Sequence, residues 1–114
     1  MEDCIFCKIV KGEIPSNKVY EDDYVLAFHD INPEAPVHVL VIPKVHIGSV
    51  NEINQKNSEI VSKIFLAINK IVNKLGIAED GYRVISNTGE NGGQSVKHLH
   101  FHILGGKKLP VKLL

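Results

Sequence analysis

The stretch His98-Leu99-His100-Phe101-His102-Ile103-Leu104 alternates imidazole with a large apolar side chain at every step. Successive side chains of a β-strand point to opposite faces, so this segment is read as a strand that sends Leu99, Phe101 and Ile103 into a core. The three histidines then line its other face. A chain built around such a strand needs a sheet with one side buried under a helix or a partner and the other side carrying polar chemistry.

The flanking sequence supplies the rest of that sheet. Val19-Tyr20-Glu21 and Tyr24 to His29 bracket the acidic turn Asp22-Asp23, which predicts a hairpin. Asp30 to Pro36 holds two prolines and an asparagine and is expected to be a loop, and Val37 to Ile42 is a nearly unbroken apolar run suited to an interior strand ending at Pro43. From Gln55 to Leu75, Ile60, Val61, Ile64, Phe65, Ile68, Ile71, Val72 and Leu75 recur at three- and four-residue spacing, the stripe of an amphipathic helix. Gly76 is its expected stop, and Lys70 and Lys74 sit near the negative end of its dipole. Tyr82 to Ser86 is a fourth strand, Asn87 to Ser95 a glycine-rich loop, and Gly105-Gly106 closes the fifth strand. Cys4 to Val10 is expected to be a short helix or an extended arm. The fold class expected is α+β: a five-stranded antiparallel sheet with one long helix and a short N-terminal one, in a single domain spanning 1–114. So thin a core would gain from dimerisation.

The charge balance narrows the partners. Thirteen basic side chains face thirteen acidic ones, so no broad positive field is available to follow a nucleic-acid backbone or an anionic membrane. No run approaches the roughly 18 apolar residues of a membrane helix, and no signal segment opens the chain, which makes the cytoplasm the expected location. Arg83 is the only arginine. A bound phosphate would therefore depend on backbone N–H groups, hydroxyls and imidazoles rather than on guanidinium forks.

Three imidazoles on one face can be a metal site or a catalytic one. His98 and His102 lie four residues apart, about 13 Å along an extended strand, too far to share one ion, although adjacent pairs could. The remaining reading is an imidazole nucleophile: histidine titrates near neutral pH, and if one ring nitrogen donates to a backbone carbonyl the other aims a lone pair outward. The preceding Asn87 to Ser95 segment offers amides, a hydroxyl and glycines through which backbone N–H groups can approach a phosphate.

The run from Gly93 to Gly106, with Phe28-His29-Asp30-Ile31, Ala35-Pro36-Val37-His38 and Val41 to His46, resembles the histidine triad superfamily and its nucleotide-binding Hint-like branch. That resemblance implies a homodimer that cleaves purine nucleoside 5′-phosphoramidates, chiefly adenosine ones, through a nucleotidyl-histidine and releases AMP, with GMP as another nucleotide ligand. On matching positions it implies His100 as nucleophile, His102 at the α-phosphate, His98 and His38 as the other histidines of the site, and Ser95, Gln94 and Gly93 on the phosphate and leaving-group side. Asn87 would hold a phosphate oxygen, Asp30 would take the ribose hydroxyls, and Phe6, Ile9, Phe28, His29 and Ile31 would wall the purine. Taken alone, Asp30 is equally a turn residue before Asn32-Pro33, and Phe28 and Ile31 are ordinary core candidates. No metal is needed for this chemistry.

Cys4 and Cys7 form a C-x-x-C pair, by itself half of a zinc site or a redox or free thiol pair. The resemblance implies structural zinc completed by His46 and His98. The chain departs from the branch at its end, Lys107 to Leu114, which has no tryptophan, so the leaving group stays open. Three rival readings remain: a dinucleoside polyphosphate hydrolase, a nucleotide-binding adaptor with vestigial catalysis, and a small zinc-binding structural module.

Overall fold

The computed structural model describes residues 3–111, so residues 112–114 of the atypical tail lie outside the described residues. Cys4 caps a six-residue helix, α1 (Ile5–Val10), its Sγ accepting from the Cys7 N–H at 3.3 Å. The first hairpin follows as β1 (Lys18–Glu21) and β2 (Val25–His29). Its turn is held by Asp22, whose Oδ1 accepts from Tyr24 and Val25 N–H at 2.8 Å each while Oδ2 receives the Tyr20 hydroxyl at 2.6 Å. β3 (Val37–Pro43) is buried over nearly its whole length, as expected of a strand covered on both faces. The long helix α2 (Glu59–Lys74) separates it from β4 (Arg83–Ile85) and β5 (Phe101–Gly105). The five strands are antiparallel in the order β1-β2-β3-β5-β4, so the histidine-bearing β5 lies beside the buried β3.

Ile64, Ala67, Ile68, Ile71 and Val72 bury one stripe of α2 on Val25 and Ala27 of β2, Val39 and Val41 of β3, and Leu99, Phe101 and Ile103. The opposite sheet face gathers Leu26, Phe28, Leu40 and Ile42 under Phe6 and Ile9 of α1. The sheet therefore has a second cover besides α2.

Three expectations are corrected. The helix starts at Glu59 rather than Gln55, because the side chains of Asn54 and Asn57 close a turn, accepting from Lys56 and Asn54 N–H at 2.8 and 2.7 Å. Phe65, expected in the buried stripe, is 47% exposed, with its ring edge-on to Phe101 at 5.4 Å. Regular pairing of β5 begins at Phe101 rather than His98, because the chain bends at 96–98 and Leu99 N–H is taken by the Ile47 carbonyl at 2.6 Å. Lys74 lies in the last turn of α2 as expected, and its ammonium also reaches the Val19 carbonyl of β1 at 2.7 Å. Gly76 ends α2 as expected, at φ 73°, with the Ile77 N–H returning to the Val72 carbonyl.

Candidate active site

The inner face of the sheet opposite α2 carries the imidazoles, each with a hydrogen bond that decides which nitrogen holds the proton. His100 is 3% exposed and its Nδ1 lies 2.7 Å from the His98 carbonyl. A carbonyl only accepts, so Nδ1 carries the hydrogen and Nε2 keeps a free lone pair. Phe6 meets the His100 ring edge-to-face at 5.2 Å and Phe28 at 5.7 Å, while the His102 ring stands 5.1 Å from His100 on its other side.

A second chain of donors runs through His38. The Glu34 N–H donates to His38 Nδ1 at 3.0 Å, which places the proton of the neutral ring on Nε2. That Nε2 lies 2.9 Å from His102 Nδ1 and donates to it, so the proton of His102 is left on Nε2. Burial, with the nearby His100 and His38 adding to it and Asp30 opposing, pushes the His102 pKa down to about 4. His102 is consequently a neutral N–H donor at pH 7. Asp30, His38 and His102 lie close enough together to suggest a metal centre, with 3.5 Å between Asp30 Oδ2 and His38 Nε2. The Glu34 amide argues against it, because a His38 that keeps its proton on Nε2 has no lone pair to offer there.

His98 belongs to another cluster. It is fully buried, and its Nε2–H donates to the Pro43 carbonyl at 2.9 Å, which turns Nδ1 as a lone pair toward Cys4 Sγ at 3.2 Å and Cys7 Sγ at 3.6 Å. His46 Nδ1 lies 3.3 Å from Cys7 Sγ. Zinc–sulfur and zinc–nitrogen bonds of about 2.3 and 2.0 Å make a tetrahedron whose S···N edges are about 3.5 Å. Those edges match the observed spacings, and all four donor atoms fall within 4.8 Å of one another. Burial lowers the His98 pKa and raises that of Cys7, the Cys4 side chain adding to the latter. A cation would reverse the thiol's preference by binding the thiolate.

The other expected site residues are placed unevenly. Asp30 Oδ1 accepts from Asn32 N–H at 2.8 Å, the turn role, while Oδ2 remains near His38. Phe28 and Ile9 are buried beside Phe6, but Ile31 is 92% exposed and touches nothing that would make it a wall without a ligand. His29 pairs in register with Val39, which lies under α2, so strand alternation turns its ring away from the Phe28 face. Gln94 braces the loop, Nε2 donating to the Gly48 and Val96 carbonyls at 2.7 and 2.9 Å and Oε1 accepting from Gly89 N–H. Asn87 Nδ2 donates to the Gly92 carbonyl at 2.8 Å. Gly93 adopts φ 76°, and the N–H groups of Gly93 and Gln94 bond to the Glu90 and Gly89 carbonyls inside the loop. Ser95 is exposed and lines a cavity of about 650 Å³ with Asp3, Cys4, Ile5, His46, Val96 and Lys97, on the metal side rather than against His100. The Glu34 amide, the Pro43 carbonyl and the edge contact of Phe6 on His100 were not foreseen; main-chain partners leave no mark in residue types.

The HIT domain family model matches residues 11–109. A purine nucleoside phosphoramidase of Escherichia coli K12 is 48% identical over 108 residues, covering 95% of this chain and 91% of that protein. Among solved structures, a histidine triad protein from Clostridium difficile is 61% identical with a TM-score of 0.94, covering 96% of both chains. A HIT family hydrolase from Clostridium thermocellum is 55% identical with a TM-score of 0.97, covering 100% of this chain and 99% of that one. In the described residues no helix is long and apolar enough to cross a membrane.

Proposed function

Because the chain belongs to the histidine triad (HIT) family, we propose that it hydrolyses purine nucleoside 5′-phosphoramidates through a nucleotidyl-His100 intermediate. The observation that carries this reading is the His100 ring itself, anchored at Nδ1 to the His98 carbonyl, with Nε2 hydrogen-bonded to none of the described residues. Nε2 attacks the α-phosphorus, the P–N bond breaks, and the amine leaves with a proton taken from the medium. Water then attacks the same phosphorus and gives a proton to the medium, the P–Nε2 bond breaks with its electron pair returning to Nε2, and the nucleoside monophosphate departs. The Nδ1–H···O bond stabilises positive charge on the ring while it carries phosphorus. His102, neutral and donating through Nε2–H, is suited to a non-bridging phosphate oxygen, where negative charge grows. Asp30 offers one carboxylate that can accept from two ribose hydroxyls. Phe6, Ile9 and Phe28 supply the apolar wall for the base, with Ile31 and the His29 main chain at its rim, while Asn87, Gly93 and Gln94 act by holding the shape of the 87–94 loop rather than by direct contact with the phosphate.

Zinc at Cys4, Cys7, His46 and His98 serves as a structural ion in this reading and enters no chemical step. A homodimer is supported by the position of β4 at an edge of the sheet and by Phe65 and Leu66, 47% and 58% exposed on α2. The chain works as one HIT domain, and its unpaired Cys4 and Cys7 suit the reducing cytoplasm. The likeness to the E. coli purine nucleoside phosphoramidase favours the phosphoramidate over a dinucleoside polyphosphate.

The test is intact-mass spectrometry after a rapid quench with adenosine 5′-phosphoramidate, which should show one added AMP on wild type and none on His100→Ala. Full turnover by His100→Ala would end the proposal. Faster turnover of diadenosine polyphosphates than of phosphoramidates would move the protein to the rival substrate class, and tight AMP binding without turnover would make it an adaptor.

A further inference from the structure

We propose that the Cys4/Cys7/His46/His98 centre is a reversible control point for the active site: a thiophilic divalent cation held there orients His100 and the Phe6 wall, and its removal weakens nucleotide binding while the main core stays folded. The inference rests on the nucleotide reading of the His100 site. Two separate connections carry it.

The first passes through one residue. His98 turns Nδ1 to the thiols and gives its main-chain carbonyl to His100 Nδ1 at 2.7 Å. With Nε2 tied to the Pro43 carbonyl, the ring and backbone of His98 are held from three directions when the centre is filled. The second connection passes through α1. Phe6 sits between the two cysteines on a six-residue helix, too short to persist without tertiary anchors. Its ring touches His98, His100 and Phe28 at 5.9, 5.2 and 5.7 Å. A cation bridging Cys4 and Cys7 to His46 and His98 would clamp both ends of this contact.

Two further features make the clamp separable from the fold. The cluster between α2 and the sheet has no member from α1, so releasing α1 leaves it in place. The cavity of about 650 Å³ reaches Cys4 and His46, which gives a cation and a chelator a route from solvent without unfolding.

The experiment measures AMP binding by calorimetry to full-length protein that is zinc-loaded, chelator-stripped and reloaded, alongside the His46→Gln variant, which removes a half-buried ligand and leaves His98 and Phe6 intact. If about one stripped chain in ten retains the competent arrangement, the AMP Kd rises about tenfold on stripping. Zinc should restore it in wild type and fail to do so in His46→Gln. Side-chain ¹⁵N spectra of His100 and amide exchange across α1 should change on stripping, with exchange in α2 unaltered. Unchanged AMP affinity with coincident His100 spectra overturns the proposal, as does failure to take up zinc or global unfolding by the chelator. If no form binds AMP, the nucleotide reading fails, and the His100 and α1 spectra with and without zinc still judge the coupling.

Discussion

Replacing His38 tests the donor chain that fixes His102. The ring is buried, accepts from Glu34 N–H at 3.0 Å and donates to His102 Nδ1 at 2.9 Å. His38→Ala removes both bonds and leaves His102 free to move its proton to Nδ1, which would aim a lone pair from Nε2 at the phosphate. An orienting bond between buried groups, lost with one partner unsatisfied, is worth about 1–3 kcal/mol, or about 5- to 150-fold in kcat/KM. His38→Gln should recover most of that loss, since an amide offers one acceptor for Glu34 N–H and donors for His102, as neutral imidazole does. Steady-state kinetics on adenosine 5′-phosphoramidate, with ¹⁵N spectra assigning the His102 tautomer, read both effects. Wild-type kcat/KM in His38→Ala, or a His102 already protonated at Nδ1 in the unaltered protein, would refute the reasoning.

Three further outcomes are expected. His102 has its pKa lowered from 6.5 to about 4 by burial, so the unfolded chain binds its proton first; stability from this ring is full above pH 6.5 and is lost as pH falls toward 4. Denaturant titrations should show that loss in wild type and a shallower one in His102→Asn, and an equal pH slope in the two would contradict it. Ile103→Ala, a fully buried position on β5 under α2, should lower unfolding free energy by about 2–5 kcal/mol, and a change below about 1 kcal/mol would mean the core is not packed as described. At Gly92 an added Cβ would run into the Thr88 carbonyl, so Gly92→Ala should distort the loop braced by Asn87 and reduce turnover at little cost in melting temperature. Unaltered turnover would show that the loop plays no part at the phosphate.

Much of this architecture is written in periodicity. Alternation over 98–104 separates Leu99, Phe101 and Ile103 from the imidazoles even where regular pairing has not yet begun, because local backbone preference and burial agree there. The three- and four-residue spacing over α2 identifies the helix, yet it also enrolled Phe65, since a spacing pattern does not say how wide a stripe the sheet will cover. The start of that helix moved four residues because Asn54 and Asn57 satisfy main-chain groups with side chains, a local competition that apolar spacing does not register. His29 stood next to Asp30 in the sequence, but the register of β2 against β3 sends its ring to the other face.

By itself the sequence determined which residue types could do the chemistry and the face on which β5 presents them, because side-chain direction in a strand has a period of two whatever the partners are. Tertiary structure decided which nitrogen of each imidazole is free. That choice depends on the His98, Pro43 and Glu34 main-chain groups, and on the 39 and 91 residues of chain that separate Cys7 from His46 and His98 being folded back to within one ion's reach. Such partners are set by packing across the sheet, and proton position on a ring follows from whichever group the fold places opposite it.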